Sequence, residues 1–268
     1  MPLIIRFPNG QYAGTVDDQL VSFVDFAPTT FSLAGIDLPG YLEGQAFLGE
    51  GCAAEPRRYI HAAADRLDTE YDMIRAVRDK QFKYLRNFQP ERGYYLAVTY
   101  REQMATMQEL LRLRDEGGLD AYQAQWFRTA KPEEELFDTD ADPHELHNLA
   151  ADPAYADKLA ELRTELDRWM DTTDDKGLLP ESAFVEQIWP GRTQPLTATP
   201  AIEQDGNRIT LRSATEGASI GYQILAEDEE PGNHWHVYSK PVTLPDGYRL
   251  RALAHRLGYA PSEVVSMP

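Results

Sequence analysis

The stretch Asp65-Arg66-Leu67-Asp68-Thr69-Glu70-Tyr71-Asp72 holds this chain's densest run of side chains able to recognise a polar ligand. Arg66 offers a planar fork of N–H donors that suits two-point contact with an oxyanion. Asp65 and Asp68 can accept from hydroxyl groups, and the Tyr71 phenol can both donate and accept. Strand-like runs flank the stretch, so it reads as a loop carried on a sheet, a common place for binding groups. The same charges can instead satisfy one another in a solvated hairpin.

Other residues with chemical potential read more plainly. Cys52 lies in a Gly-rich loop and reads as a loop thiol. His61 stands among alanines in a strand-like run, the setting of a satisfied core or interface histidine. His144 and His147, near Asp140 and Asp142, have a metal-like composition, but Asp142-Pro143 and Asn148 are turn formers in their own right. In His234-Trp235-His236, strand alternation puts both imidazoles on one face and the indole on the other. Trp235 there reads as sandwich core, with stacking on a sugar ring as the alternative. Met104 and Met107 read as core filling.

Composition bounds the possibilities. A chain of 268 residues holds one large domain or two ordinary ones, and 42% hydrophobic content supplies a core. No apolar run reaches membrane-spanning length. A net charge of -18 without a basic block argues against nucleic acid and anionic membrane as partners. One cysteine excludes an intrachain disulfide framework and leaves the compartment unreadable. The opening residues do not read as a signal peptide.

The elements that must position these residues follow from pattern. Leu3-Ile4-Ile5 reads as a buried strand. Asp25 reads as the N-cap of a helix that runs through Phe31 and Leu33 and stops at Gly35. Runs at 58–63, 71–77 and 82–86 read as strands, the last two joined by a tight turn at Asp79-Lys80. A helix is expected from Tyr100 to about Arg114, ending at Gly117-Gly118. A second begins at Asp152-Pro153 with Leu159, Leu162, Leu166 and Trp169 on one stripe. Antiparallel strands covered by helices on one face make an α+β layer. From Asp171 to Pro195 the texture reads as linker. Beyond it, runs at 209–211, 219–224, 236–238 and 249–255 have the spacing of a small β-sandwich.

Glu135-Leu136-Phe137-Asp138-Thr139-Asp140-Ala141-Asp142-Pro143-His144-Glu145-Leu146-His147-Asn148-Leu149 resembles the E-L-Y-D-L-x-x-D-P-x-E-x-x-N-L signature of type I sulfatases. Pro2-Leu3-Ile4-Ile5-Arg6-Phe7-Pro8 is similar to that family's P-L-I-I-R-x-P strand, and Val24-Asp25-Phe26-Ala27-Pro28-Thr29 to its V-D-x-x-P-T helix entry. Leu42-Glu43-Gly44-Gln45-Ala46-Phe47 resembles a following loop, and Asp65–Asp72 a D-R-x-D-E-x-Y-D stretch. The order of these segments matches the C-terminal part of the family, and residues 214–262 look like an appended Fn3-like module.

The resemblance implies the C-terminal part of an alkaline-phosphatase-like α/β enzyme. Residues 1–50 would end its catalytic domain, 51–175 form an α+β subdomain, 176–195 a linker and 196–268 the sandwich. Family chemistry uses a formylglycine nucleophile and a divalent cation, usually calcium, on sulfated carbohydrates or aryl sulfates. No catalytic residue, metal ligand or cofactor of that set is recognised in these 268 residues, because the corresponding motifs fall before them. At Cys52 the family's Cys-x-Pro/Ala-x-Arg pattern fails, since Pro56 stands where arginine is required. The chain alone is therefore expected to be inactive. The substrate-facing residues implied are Asp65, Arg66, Asp68 and Tyr71. Alternatives are a noncatalytic glycan-binding protein, a subunit that completes a separately encoded catalytic half, and a phosphodiesterase of the same superfold.

Overall fold

A computed structural model describes residues 3–268; Met1 and Pro2, the latter opening the P-L-I-I-R match, lie outside them. The chain divides into two compact units, one ending at Gly177 and one running Leu178–Pro268.

The first unit begins with a segment, 3–57, whose only α-helix is α1, Phe26–Leu33. Leu3-Ile4-Ile5 forms no strand, and Ile4 is 91% exposed. A strand needs a neighbour to bond, and no described segment pairs with it. Asp25 does not cap α1 either. Its buried carboxylate instead accepts from the backbone N–H of Ser22 at 2.8 Å and of Gln45 at 2.9 Å, and from Arg57 Nε at 3.0 Å. Thr29 adds a bond from the Phe47 N–H at 3.1 Å. A polar clamp, more than an apolar core, closes this segment.

Four antiparallel strands follow: β1 (Ile60–Leu67), β2 (Glu70–Arg78), β3 (Phe82–Asn87) and β4 (Glu134–Asp138), in that spatial order. Register aligns His61, Val77, Tyr84 and Leu136 in one row across the sheet. Helix α4, Ala156–Thr172, lays Leu159, Leu162 and Leu166 on that row, so the apolar stripe of the sequence is the core-facing stripe. Asp152 accepts from the Ala154 N–H at 2.9 Å at the helix entry. The signature loop is locked to β4 by Asn148, whose carbonyl accepts from Leu136 N at 3.0 Å while its amide donates to Glu134 O at 3.0 Å. Asp142 accepts from the backbone N–H of Leu146 and His147, as a turn former does.

On the second face of the sheet, polar side chains among Ile74, Ala76, Leu85 and Phe137 meet residues of the excursion 88–133. Lys131, 5% exposed, donates to both Asp72 oxygens at 2.7 Å. Asn87 donates to Glu135 at 2.8 Å, and Tyr94 donates to the same carboxylate. The expected helix at 100–114 is broken in two here, α2 (Thr99–Glu102) and α3 (Ala105–Asp115), with extended backbone at Met104 between them.

In the second unit the 176–195 stretch carries a helix, α5 (Glu181–Ile188). Strands β5 (Ala201–Asp205), β6 (Arg208–Arg212) and β9 (Val242–Thr243) make one antiparallel sheet. Strands β7 (Ser219–Ala226), β8 (His236–Val237), β10 (Tyr248–His255) and β11 (Val265–Met267) make the other. Both contribute to one core, Ile209 and Leu211 meeting Ile220, Leu250, Ala252 and Ala254. Trp235 is not in it. The indole sits over Gly221, where a Cβ would lie 3.3 Å from its own Cβ, with the Arg251 guanidinium 5.6 Å from the ring. Gly221 alternates with core-facing Ile220, so Trp235 covers the outer face.

Candidate functional site

Asp65–Asp72 is less of a loop than its charges suggest. Strands β1 and β2 run to its tip, leaving Asp68 and Thr69 as a two-residue turn with Asp68 at φ 57°. Arg66 pairs across the ladder with Tyr71, and the register shifts between Ala64 and Arg66, a bulge that re-aims the neighbouring side chains. The four residues Asp65, Arg66, Asp68 and Tyr71 therefore share one hairpin end.

Their side chains have different duties. Asp65 faces inward to the fully buried Arg75, at 2.9 Å from its Nη2. Tyr71 donates from its hydroxyl to Gly177 O at 3.0 Å, and Arg92 holds the Tyr71 carbonyl and the Glu70 carboxylate. Arg66 and Asp68 are exposed at the end of the hairpin. The tip is thus a rigid mount that presents Arg66 and Asp68.

Sequence reasoning missed the base of this mount. Arg75 also grips Asp175, Nε to Oδ2 at 2.5 Å and Nη2 to Oδ1 at 2.8 Å. The Arg75 guanidinium holds the Asp175 carboxyl below the usual carboxylate range, against the opposing effect of burial. A Cβ on Gly177 would lie 2.0 Å from Arg75 Nη2 and 2.7 Å from Met73 Cε, so a larger residue there would have to displace the Arg75 fork. An odd-numbered arginine between Met73 and Val77 was the available signal: strand alternation points it into the helix-covered face, where it must find acids.

On that face His61 shares its row with Val77. Its Nε2 lies 2.9 Å from Glu165 and its ring stacks on Trp169 at 4.9 Å. Burial lowers the His61 value, and Arg168 chiefly lowers that of Glu165, so a neutral imidazole donates to a carboxylate. A shallow open groove of ≈ 510 Å³ lies beside it, lined by Arg58, Tyr59, Glu161, Glu165 and Arg168 among others. Lys158 first, and then Tyr59, hold Glu161 down to about 2, while burial and Glu161 push Tyr59 up to about 12. These charges neutralise one another within the groove.

Cys52 is exposed in its loop. Among the described residues no group of three or more His, Cys, Asp or Glu side chains is arranged to hold a metal ion. The described residues do not fit a resident divalent cation.

Residues 1–97 match the family model described as N-sulphoglucosamine sulphohydrolase, C-terminal. Over 267 residues the chain is 53% identical to an ulvan-active sulfatase of Formosa agariphila, covering 99% of this chain and 45% of that protein. It is 26% identical over 223 residues to the human N-sulphoglucosamine sulphohydrolase, covering 73% of this chain and 41% of that one. A solved 2-O GAG sulfatase aligns with a TM-score of 0.38 and 24% identity over 57% of this chain and 25% of its own. The chain spans less than half the length of these relatives. The chain is similar to the C-terminal region of sulfatases of the type I family.

Proposed function

We propose that these residues serve a carbohydrate sulfatase as its substrate-side C-terminal portion, and do not turn over sulfate esters by themselves. The observation that carries this reading is the 53% identity to an ulvan-active sulfatase sustained over 99% of the chain. The nucleophile and the cation would come from residues outside this chain, with formylglycine and calcium as the family chemistry. The β1–β2 tip would border the cleft, with Arg66 meeting a sulfate or carboxylate and Asp68 accepting from a sugar hydroxyl. Asp65 and Tyr71, committed to Arg75 and Gly177, would position the tip. We read the second unit as an Fn3-like accessory module.

The test is a paired assay on sulfated polysaccharide. The 268-residue chain alone should release no sulfate, and the same chain joined to the preceding portion of the Formosa relative should do so. Release by the chain alone would sink the idea. In the joined enzyme, Arg66→Gln should raise KM more than it lowers kcat; an unchanged KM removes the tip from the cleft.

A further inference from the structure

The excursion between β3 and β4 builds a second feature, none of it among the sulfatase motifs. Tyr95 donates its backbone N–H to Trp126 O at 3.1 Å, which brings the two limbs of the excursion together. The rings of Tyr95, Trp126 and Phe127 then meet with centroids 5.1 to 5.9 Å apart. Two guanidinium groups flank them. Arg101 lies 5.5 Å from the Trp126 ring and 6.0 Å from Tyr95, and Arg114 lies 5.4 Å from Phe127 and 5.8 Å from Tyr95.

The two arginines differ in one respect. Arg114 has a carboxylate partner, Asp115 at 2.8 Å. Among the described residues Arg101 donates only to Leu96 O at 3.0 Å, and its Nε is buried without a partner there. The acid nearest in sequence, Glu102, is taken by the Tyr95 hydroxyl. With 44 acidic against 26 basic residues, carboxylates are abundant, yet none among the described residues pairs with Arg101. A half-buried guanidinium set against aromatic rings with N–H donors unspent is a receptor for an oxyanion, because aromatic packing removes competing water and fixes the fork.

We propose that Arg101, with Tyr95 and Trp126, forms a binding site for an anionic saccharide. The sulfate or carboxylate lies on Arg101 and a sugar face lies against the rings. The choice of saccharide rests on the carbohydrate-sulfatase reading; the choice of an oxyanion rests on Arg101 alone. The site is distinct from the β1–β2 tip, and of its residues only Tyr95 falls within residues 1–97, the extent of the family-model match.

The test is affinity electrophoresis of the full chain at about 0.1 M salt through gels holding dextran sulfate, dextran or polyglutamate. Dextran sulfate should retard the chain and dextran should not. Arg101→Met keeps the stem on the rings and should lose at least tenfold in affinity with an unchanged melting temperature. Arg101→Lys should fail to rescue, since a point charge lacks the fork. Wild-type retention by Arg101→Met, or by Arg101→Lys, overturns the site, as does a chain that dextran sulfate does not retard. Equal retardation by polyglutamate overturns the saccharide and assigns an acidic protein segment. Hydrolysis by the joined enzyme stands or falls separately, so loss of either result leaves the other readable.

Discussion

Segment 3–57 and the layer built by β1–β4 with α4 have similar apolar residues and opposite fates. In the layer, Val77, Tyr84, Leu136, Leu162 and Leu166 are all completely buried. In the segment, Ile4 and Val16 are more than 90% exposed, and Phe23, Leu33 and Tyr41 are each above 50%. The layer has a helix stripe and a sheet row to close on each other. The segment has one short helix and a clamp at Asp25. Hydrophobic residues bury only where a second apolar surface of matching period is supplied, and here the polar contacts hold the segment's shape without one. A contiguous exposed apolar surface of this kind marks an interface or an aggregation hazard.

The sharpest way to break the contrast is to destabilise the layer alone. Lys131→Met leaves the Asp72 carboxylate buried without its partner and should cost about 3–5 kcal/mol, read as a large fall in melting temperature. A smaller, local effect is expected from Asp25→Ala. It orphans Arg57 and two backbone N–H groups, about 1–3 kcal/mol for a buried group. Hydrogen exchange at Ser22 and Gln45 should speed up while the layer's melting temperature holds; a matching fall in both would mean the two regions unfold together.

A further contrast is readable by pH. Burial lowers the His61 value from an ordinary 6.5, so the fold favours the neutral ring. That contribution is complete above about 6.5 and is lost as the pH falls through 6.5 toward the lower folded value. The denaturant midpoint should drop between pH 7.5 and 5.5, and His61→Gln should flatten the drop. Asp175 and Glu165, also held low, give stability that is present above the ordinary carboxylate range and lost at more acid pH. The smallest effect is expected from removing residues 1–50. Asp18 joins Lys80 of the β2–β3 turn in a 3.0 Å exposed ion pair, which is worth about 0–1 kcal/mol. The remainder should keep its melting temperature and gain solubility; a clear fall would show that the segment has apolar partners within the chain.

Local pattern made much of this fold legible. The Leu159–Trp169 stripe, the turn after Arg78 and the D-P-x-E-x-x-N loop are each set by neighbours within a few residues. What escaped was set at a distance. The Asp25 carboxylate is spent on Gln45 and Arg57, 20 and 32 residues away, so its cap-like position misleads. Trp235 reads as core because apolar bulk usually is, but the Gly221 seat that places it on the outer face lies on another strand. At the hairpin the residue types were visible and their division of labour was not. Asp65 turns inward because Arg75 needs it, and only tertiary packing reveals that need. Arg101 gave no sequence signal, since its meaning lies in the carboxylate it lacks.

The Arg75 grip has a consequence for where the chain can be cut. Asp175 and Gly177 are held against β2, and a Cβ at 177 would meet the Arg75 guanidinium at 2.0 Å. The next residue, Leu178, is 66% exposed. Past α4 and its closed tail, a chymotrypsin-like protease should find an opening at Leu178. Cleavage there falls at a border written by an arginine a hundred residues upstream.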